Sequence, residues 1–139
     1  MKNVRELNKV ADEALKSAKT VVDALVDPQS FVESDRFIRS ATALGEATGE
    51  GVVSGFATVS DVQVGVFAIS GDILKGSIGK ANAKKIAKCV NNAIKTDSPV
   101  IGVIDTQGAR FAEGIEAMEG YGEIFAAFSA AYWVVPTIL

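Results

Sequence analysis

Residues 99–114, PVIGVIDTQGARFAEG, place an apolar run, a break at Asp105, a polar turn and a helix start at Phe111 in direct succession. A buried strand that feeds a turn and then a helix leaves main-chain N–H groups without helical partners. Such groups stabilise anionic oxygen, whether phosphate or enolate. Backbone chemistry stands out because the side-chain alternatives are missing: the 139 residues contain no histidine and one cysteine, Cys89. A Ser/His/Asp triad, a Cys/His pair, an HExxH site and a CxxC pair each need residues that this chain lacks, so no metal site is expected. What remains is chemistry carried by backbone dipoles, carboxylates or lysines. Of the carboxylates nearby, Glu113 and Glu116 open a helix, where the macrodipole favours acids whatever the function, so they and Asp105 are read as structural.

The elements that must hold this turn can be read from periodicity. Val4, Leu7, Ala11, Ala14, Ala18, Val21 and Leu25 recur in steps of three and four, one stripe of an amphipathic helix that Asp27-Pro28 stops. Residues 29–50 are polar and mixed. GVVSGFATVSDVQVGVFAIS (51–70) reads as a β-hairpin turning at Ser60-Asp61, with Val62, Val64, Val66 and Ala68 on one face and Gly51, Gly55 and Gly65 marking bulges or close backbone approach. A loop over 71–79 leads to a helix from Lys80 to Lys95 that buries Ala81, the Lys85 stem or Ile86, Cys89, Val90 and Ala93. Cys89 is thereby an inert core thiol. The run 99–105 is a buried strand, and the helix after it carries Phe111, Ile115, Met118, Gly122 and Phe125 along one side. A third apolar start at Trp133 to Leu139 completes the alternation of a layered α/β domain.

Residues 73–95 hold Lys75, Lys80, Lys84, Lys85, Lys88 and Lys95 and no acid, leaving eight of the fourteen Lys and Arg against all seventeen Asp and Glu elsewhere. Lys80, Lys84 and Lys88 share a helix face at i, i+4 spacing, where like charges repel. Two readings follow: a contact to a phosphate-bearing ligand, or a face balanced by the acidic remainder. Nucleotide-loop motifs do not explain the lysines, because GSIGK (76–80) has no following Ser or Thr and no G-x-G-x-x-G is present.

Composition sets outer bounds. One domain's length, 48% hydrophobic residues and a formal charge of −3 describe a chain able to pack a core and not designed for nucleic acid. The charged N-terminus MKNVRELNKVADEALK has no signal-peptide core, so the expected compartment is the cytoplasm. The longest uncharged run, residues 124–139, is shorter than the roughly 18 apolar residues of a spanning helix and contains Pro136, so no membrane span is expected.

Several segments together resemble one family. GSIGKANAKKIAK (76–88), PVIGVIDTQGARFAEGIEAMEGYGEIFAA (99–127) and VVPTI (134–138), preceded by VVDALVDPQSFVE (21–33) and GEGVVSGFATVSDVQVGVFA (49–68), are similar, in order, to the N-terminal half of the biotin-dependent acyl-CoA carboxyltransferases. That is the family of propionyl-CoA and acetyl-CoA carboxylase β-type subunits. The resemblance implies an α/β fold, an incomplete crotonase-like ββα superhelix, with a lead-in helix over 1–28 and the ββα core over 49–139. It implies carboxyl transfer between carboxybiotin on a carrier protein and the α-carbon of a short acyl-CoA, with the enolate held by backbone N–H groups. It implies as partners acyl-CoA, a biotin carboxyl carrier protein, biotin carboxylase or decarboxylase subunits, and further copies of the chain.

Carried over by position, the family's turn, roughly S-G-G-A-R-I-Q-E-G, falls on Thr106 to Gly114. Gly108 and Ala109 then present the oxyanion N–H groups and Arg110 shapes the turn. The other glycine-rich turn, often G-G-S-L-G, becomes Lys75, Gly76, Ser77, Ile78 and Gly79. The substrate-binding set is Lys75, Gly76, Ser77, Gly79, Lys80, Gln107 and Arg110. Two departures matter: Gln107 replaces a first Gly, which strains the turn if that position needs φ > 0, and Lys75 replaces a Gly near the expected acyl-CoA entrance. Family members continue well beyond position 139, and the apolar ending WVVPTIL reads as truncation or a split subunit. Two further readings stay open: a crotonase-type acyl-CoA enzyme or binder that never uses biotin, and a non-catalytic fragment.

Overall fold

The computed structural model describes residues 3–39 and 49–139. Five strands form one sheet in chain order: β1 (Val32–Ser34), β2 (Val52–Val59), β3 (Val62–Ile69), β4 (Val100–Val103) and β5 (Thr137–Ile138). The first three pair antiparallel and the last three parallel. The parallel pairs require crossovers, and the chain makes them with α3 (Lys80–Lys95) between β3 and β4 and α4 (Ile115–Ala131) between β4 and β5. Both crossover helices lie on one face of the sheet. Of the N-terminal pair α1 (Val4–Ala14) and α2 (Lys16–Leu25), α2 with Leu15 ahead of it covers the other.

Strand alternation divides β3 between the two layers. Val64, Val66 and Ala68 face Leu15, Ala18 and Val22 of the N-terminal helices, while Phe67 and Ile69 face Ile86, Val90 and Ile124. The expected single helix at the N-terminus is two segments meeting at Leu15, opened by a capping box in which Asn3 and Glu6 bond reciprocally. Its buried face is also one residue round from the stripe anticipated. Ala11, Leu15, Ala18 and Val22 are buried, whereas Val21 and Leu25 are 40% and 44% exposed. Turning the helix to bury Leu15 in place of Ala14 removes more apolar surface from water.

The hairpin turns where expected. Ser60 and Asp61 both take positive φ, 50° and 65°, the geometry that suits a right-twisted hairpin. No glycine is needed because Asp27, just past α2, accepts the N–H groups of Ser60 (3.0 Å) and Asp61 (2.9 Å) and the Thr58 hydroxyl (2.7 Å). The Thr58 hydroxyl and then the two N–H groups hold the Asp27 carboxyl below its ordinary pKa. The glycines expected to mark close approach do so: a Cβ on Gly55 would lie 2.0 Å from the Val32 carbonyl oxygen, and one on Gly65 2.9 Å from the Ala93 methyl. The short strand β1 in the polar stretch 29–50 went unread because three residues carry no period; residues 40–48 of that stretch lie outside the described residues.

Helix α3 has the bounds the sequence suggests and buries Ile86, Cys89, Val90, Ala93 and the whole of Lys85, with Ala81 only partly covered. Helix α4 departs more. A short 3-10 turn, Phe111–Glu113, and a break at Gly114 precede it, and the stripe Phe111, Ile115, Met118 and Phe125 faces outward, with Phe111 98% exposed. The inward face is Ala117, Gly120, Ile124, Ala127 and Ala131. Small residues win that face because α4 lies close on α3: a Cβ on Gly120 would come within 2.8 Å of the Ala83 methyl. Of the apolar segment 133–139, Thr137 and Ile138 pair with β4. Among the described residues no helix is long and apolar enough to cross a membrane.

Candidate active site

Beyond the ends of β3 and β4, two turns meet. Residues 77–79 and 108–110 run parallel for one bridge, Ile78 opposite Ala109, in which the Ile78 N–H donates to the Gly108 carbonyl (2.9 Å) and the Arg110 N–H to the Ile78 carbonyl (2.7 Å). In such a pairing the residue between the two bonded groups turns its own N–H to the opposite edge. Ala109 holds that place, and its N–H has no hydrogen-bond partner among the described residues. The Gly108 N–H is engaged by the Thr106 hydroxyl at 3.0 Å. Gly108 has φ +100°, a value an L side chain rarely adopts. Gln107 has no positive φ, so replacing a glycine there introduces no strain.

The other turn is built to approach the first. Gly76 has φ +68°, and a Cβ on it would lie 2.0 Å from the Asp105 carbonyl oxygen, so glycine lets the two backbones touch. The Gln107 N–H then reaches the Lys75 carbonyl at 3.2 Å. Behind the contact lies a buried polar network. Arg110 donates through Nη1 to Glu50 (2.6 Å) and Glu113 (2.9 Å), and through Nη2 to the Ser77 carbonyl (3.2 Å). Glu113 also accepts the Lys80 N–H at 2.8 Å, which satisfies an orphan donor at the start of α3. Asn82 completes the network by accepting the Gly79 N–H (2.7 Å) and donating to the Ser77 and Glu50 carbonyls.

Lys75, Ser77, Gln107, Ala109, Arg110 and Phe111 line an open cleft of about 420 Å³. On the far side of the 105–109 turn, Ile78, Ile104, Thr106, Tyr121 and Phe125 border an apolar cavity of about 290 Å³. The turn residues alternate between the two spaces, Thr106 to the cavity and Gln107 to the cleft. The structure thus brings Lys75, Gly76, Ser77, Gly79, Gln107, Gly108, Ala109 and Arg110 together. It separates the lysines. Lys80 pairs with Glu119 on α4 at 2.8 Å, which raises its pKa, and Lys88 pairs with Asp35 at 2.7 Å. Lys85 is fully buried, its Nζ donating to the Val52 carbonyl, and burial lowers its pKa to about 8. The charged face of α3 is therefore balanced within the chain at Lys80 and Lys88.

Sequence reasoning missed the Glu50 contribution, since nothing local marks a partner for Arg110 sixty positions away. It also read Glu113 as a helix-opening acid, although this carboxylate belongs to the buried network and caps α3. Cys89 is the inert thiol expected: its Sγ donates to the Gly55 and Val66 carbonyls, and burial pushes its pKa up to about 11.

A hairpin followed by two strand–helix crossovers, with the turn after a parallel strand bringing to a cleft an amide unpaired among the described residues, is the crotonase-like arrangement. The chain belongs to the carboxyl transferase domain family, whose model matches residues 12–139. It is 38% identical over 127 residues to the propionyl-CoA carboxylase beta chain of Roseobacter denitrificans, covering 88% of this chain and 25% of that protein. It is 36% identical over 127 residues to the methylmalonyl-CoA decarboxylase subunit alpha of Veillonella parvula, with the same coverage of both chains. Among solved structures, the transcarboxylase 12S hexamer with methylmalonyl-coenzyme A bound superposes with a TM-score of 0.84 at 29% identity, covering 91% of this chain and 27% of that one. A Pseudomonas malonate decarboxylase superposes at 0.80 with 23% identity, over 86% of this chain and 48% of that one, a likeness of fold. The chain spans about a quarter of the length of the carboxylase and decarboxylase relatives.

Proposed function

We propose that this chain forms the thioester-holding part of an acyl-CoA carboxyltransferase, acting with further chain or a partner subunit. The observation that carries the reading is the unpaired Ala109 N–H at the edge of the cleft, in the turn of a crotonase-like fold. As a carboxyl group joins or leaves the α-carbon of an acyl-CoA, negative charge moves onto the thioester oxygen, and a preorganised N–H stabilises it without reorganisation. Ala109 is the first donor. Gly108 becomes the second once the Thr106 hydroxyl rotates away from its N–H. Ser77 forms the facing wall, Gly76 and Gly79 let that turn lie close against Asp105 and Glu113, Gln107 borders the thioester, Arg110 holds the turns in register, and Lys80 fixes α3 against α4.

Carboxybiotin on its carrier protein supplies or receives the carboxyl group. The Ala109 N–H serves one oxyanion at a time, so these residues fit the thioester and offer the biotin ring no separate seat. Helices α1 and α2 act as the lead-in and residues 49–139 as the ββα core. The working protein is a cytoplasmic homo-oligomer that meets carrier and biotin carboxylase or decarboxylase subunits.

The test is transfer of a labelled carboxyl group from carboxybiotin on the carrier to propionyl-CoA or acetyl-CoA, using the protein in its natural assembly. The expected result is label appearing in the thioester at the expense of biotin. Acyl-CoA binding with no transfer would overturn the biotin-dependent reading, and absence of acyl-CoA affinity would overturn the enzymatic one.

A further inference from the structure

Lys75 is the exposed lysine that lines the cleft. Arg110 is engaged by Glu50 and Glu113, Lys80 by Glu119 and Lys88 by Asp35, and Lys85 is buried against Val52. Lys75 is exposed, lines the cleft and has no ion-pair partner among the described residues. Its backbone is also in an unfavourable region. Leu74, Lys75 and Gly76 take φ of 45°, 54° and 68°, three successive left-handed residues of which glycine alone is at ease. The Gln107 N–H on the Lys75 carbonyl and the Ser77 N–H on the Leu74 carbonyl hold the chain there. A strained lysine where glycine would relax is thus fixed at the rim of the cleft that the Ala109 N–H borders.

We propose that Lys75 determines substrate specificity by binding a carboxylate on the acyl group, so that the site favours a carboxylated acyl-CoA over its uncarboxylated counterpart. This rests on the acyl-CoA reading of the cleft. The carboxylate is the better partner because Lys75 and Ala109 line the same cleft. A carboxyl on the α-carbon is two bonds from the thioester carbon, within that space. The phosphates of coenzyme A are separated from the thioester by the whole pantetheine arm. An ammonium–carboxylate contact is a charge-assisted hydrogen bond, among the stronger polar contacts available.

Affinities of the native protein and its Lys75→Gln, Lys75→Arg and Lys75→Gly variants for malonyl-CoA and acetyl-CoA, measured by calorimetry, test this. Lys75→Gln is expected to weaken malonyl-CoA about tenfold while leaving acetyl-CoA within about twofold, and Lys75→Arg to restore most of the loss. Lys75→Gly should melt at a higher temperature, because glycine suits the left-handed backbone, and still bind malonyl-CoA weakly. That combination separates lost recognition from lost folding. Equal weakening of both thioesters by Lys75→Gln would overturn the proposal in favour of a phosphate contact. No change in either would overturn it outright. If the native protein bound neither thioester, the acyl-CoA reading itself would fail, an outcome distinct from the other two.

Discussion

Arg110 and Lys75 line the same cleft and are used in opposite ways. Around Arg110 the wall is buried and each charge has a partner, the guanidinium lying between Glu50 and Glu113 while Glu113 caps α3. Around Lys75 the rim is exposed, the ammonium is unpaired among the described residues, and the backbone is strained. The wall holds two turns close enough for Ala109 to present its N–H. The rim keeps a charge available to whatever enters. Two cations on one cleft do not have one role, and burial with partners separates positioning from recognition.

The wall is the more fragile of the two. Arg110→Ala leaves two buried carboxylates facing one another without their shared cation, and the expected loss is about 3–5 kcal/mol, read as a drop in the urea midpoint together with loss of acyl-CoA binding. A substitution at Arg110 that left stability unchanged would show that the network does not hold the turns.

Lys85 sharpens the comparison as a buried cation bonded to a carbonyl and, among the described residues, to no carboxylate. Its folded pKa of about 8 lies below the ordinary 10.5, so its burial opposes folding most strongly below pH 8, where the group is charged in both states. Lys85→Met is expected to stabilise the protein by about 2 kcal/mol at neutral pH, after allowing for the lost bond to Val52. The gain should shrink as pH rises from 8 toward 10.5, where the unfolded chain also loses its proton. Thermal melts across that range check both the sign and the window.

Gly108 gives the smallest stability effect and the most local one. A Cβ there meets nothing within 4 Å, so the cost of Gly108→Ala is the strained φ of +100°, about 1–2 kcal/mol. Carboxyl transfer should fall by about 10–10²-fold, because the turn shifts and aims the Ala109 N–H away from the developing oxyanion. Full activity with reduced stability would remove this turn from the mechanism.

Several parts of this molecule were legible in the residues alone. The 3.6-residue pattern of 80–95 located α3, alternation in 51–70 located the hairpin, and GSIGK with DTQGAR placed the two turns that meet at the site. The order of these segments also pointed to the family that matches residues 12–139. Each of these signals lies within a short stretch of chain, where propensity and spacing act.

Tertiary structure decided the rest. Which face of the first helices is buried depended on Leu15 meeting the sheet, and which face of α4 turns inward depended on Gly120 lying against Ala83. The distinction of Lys75 from Lys80 and Lys88 came from acids elsewhere in the chain, Glu119 for Lys80 and Asp35 for Lys88. So did the partnership of Arg110 with Glu50, and the capture of the Gly108 N–H by Thr106 followed from the conformation of one turn. Local sequence sets where elements begin and what faces they could offer. The pairing of charges and the choice among apolar faces depend on groups brought together by folding, whose separation along the chain leaves no local pattern to read.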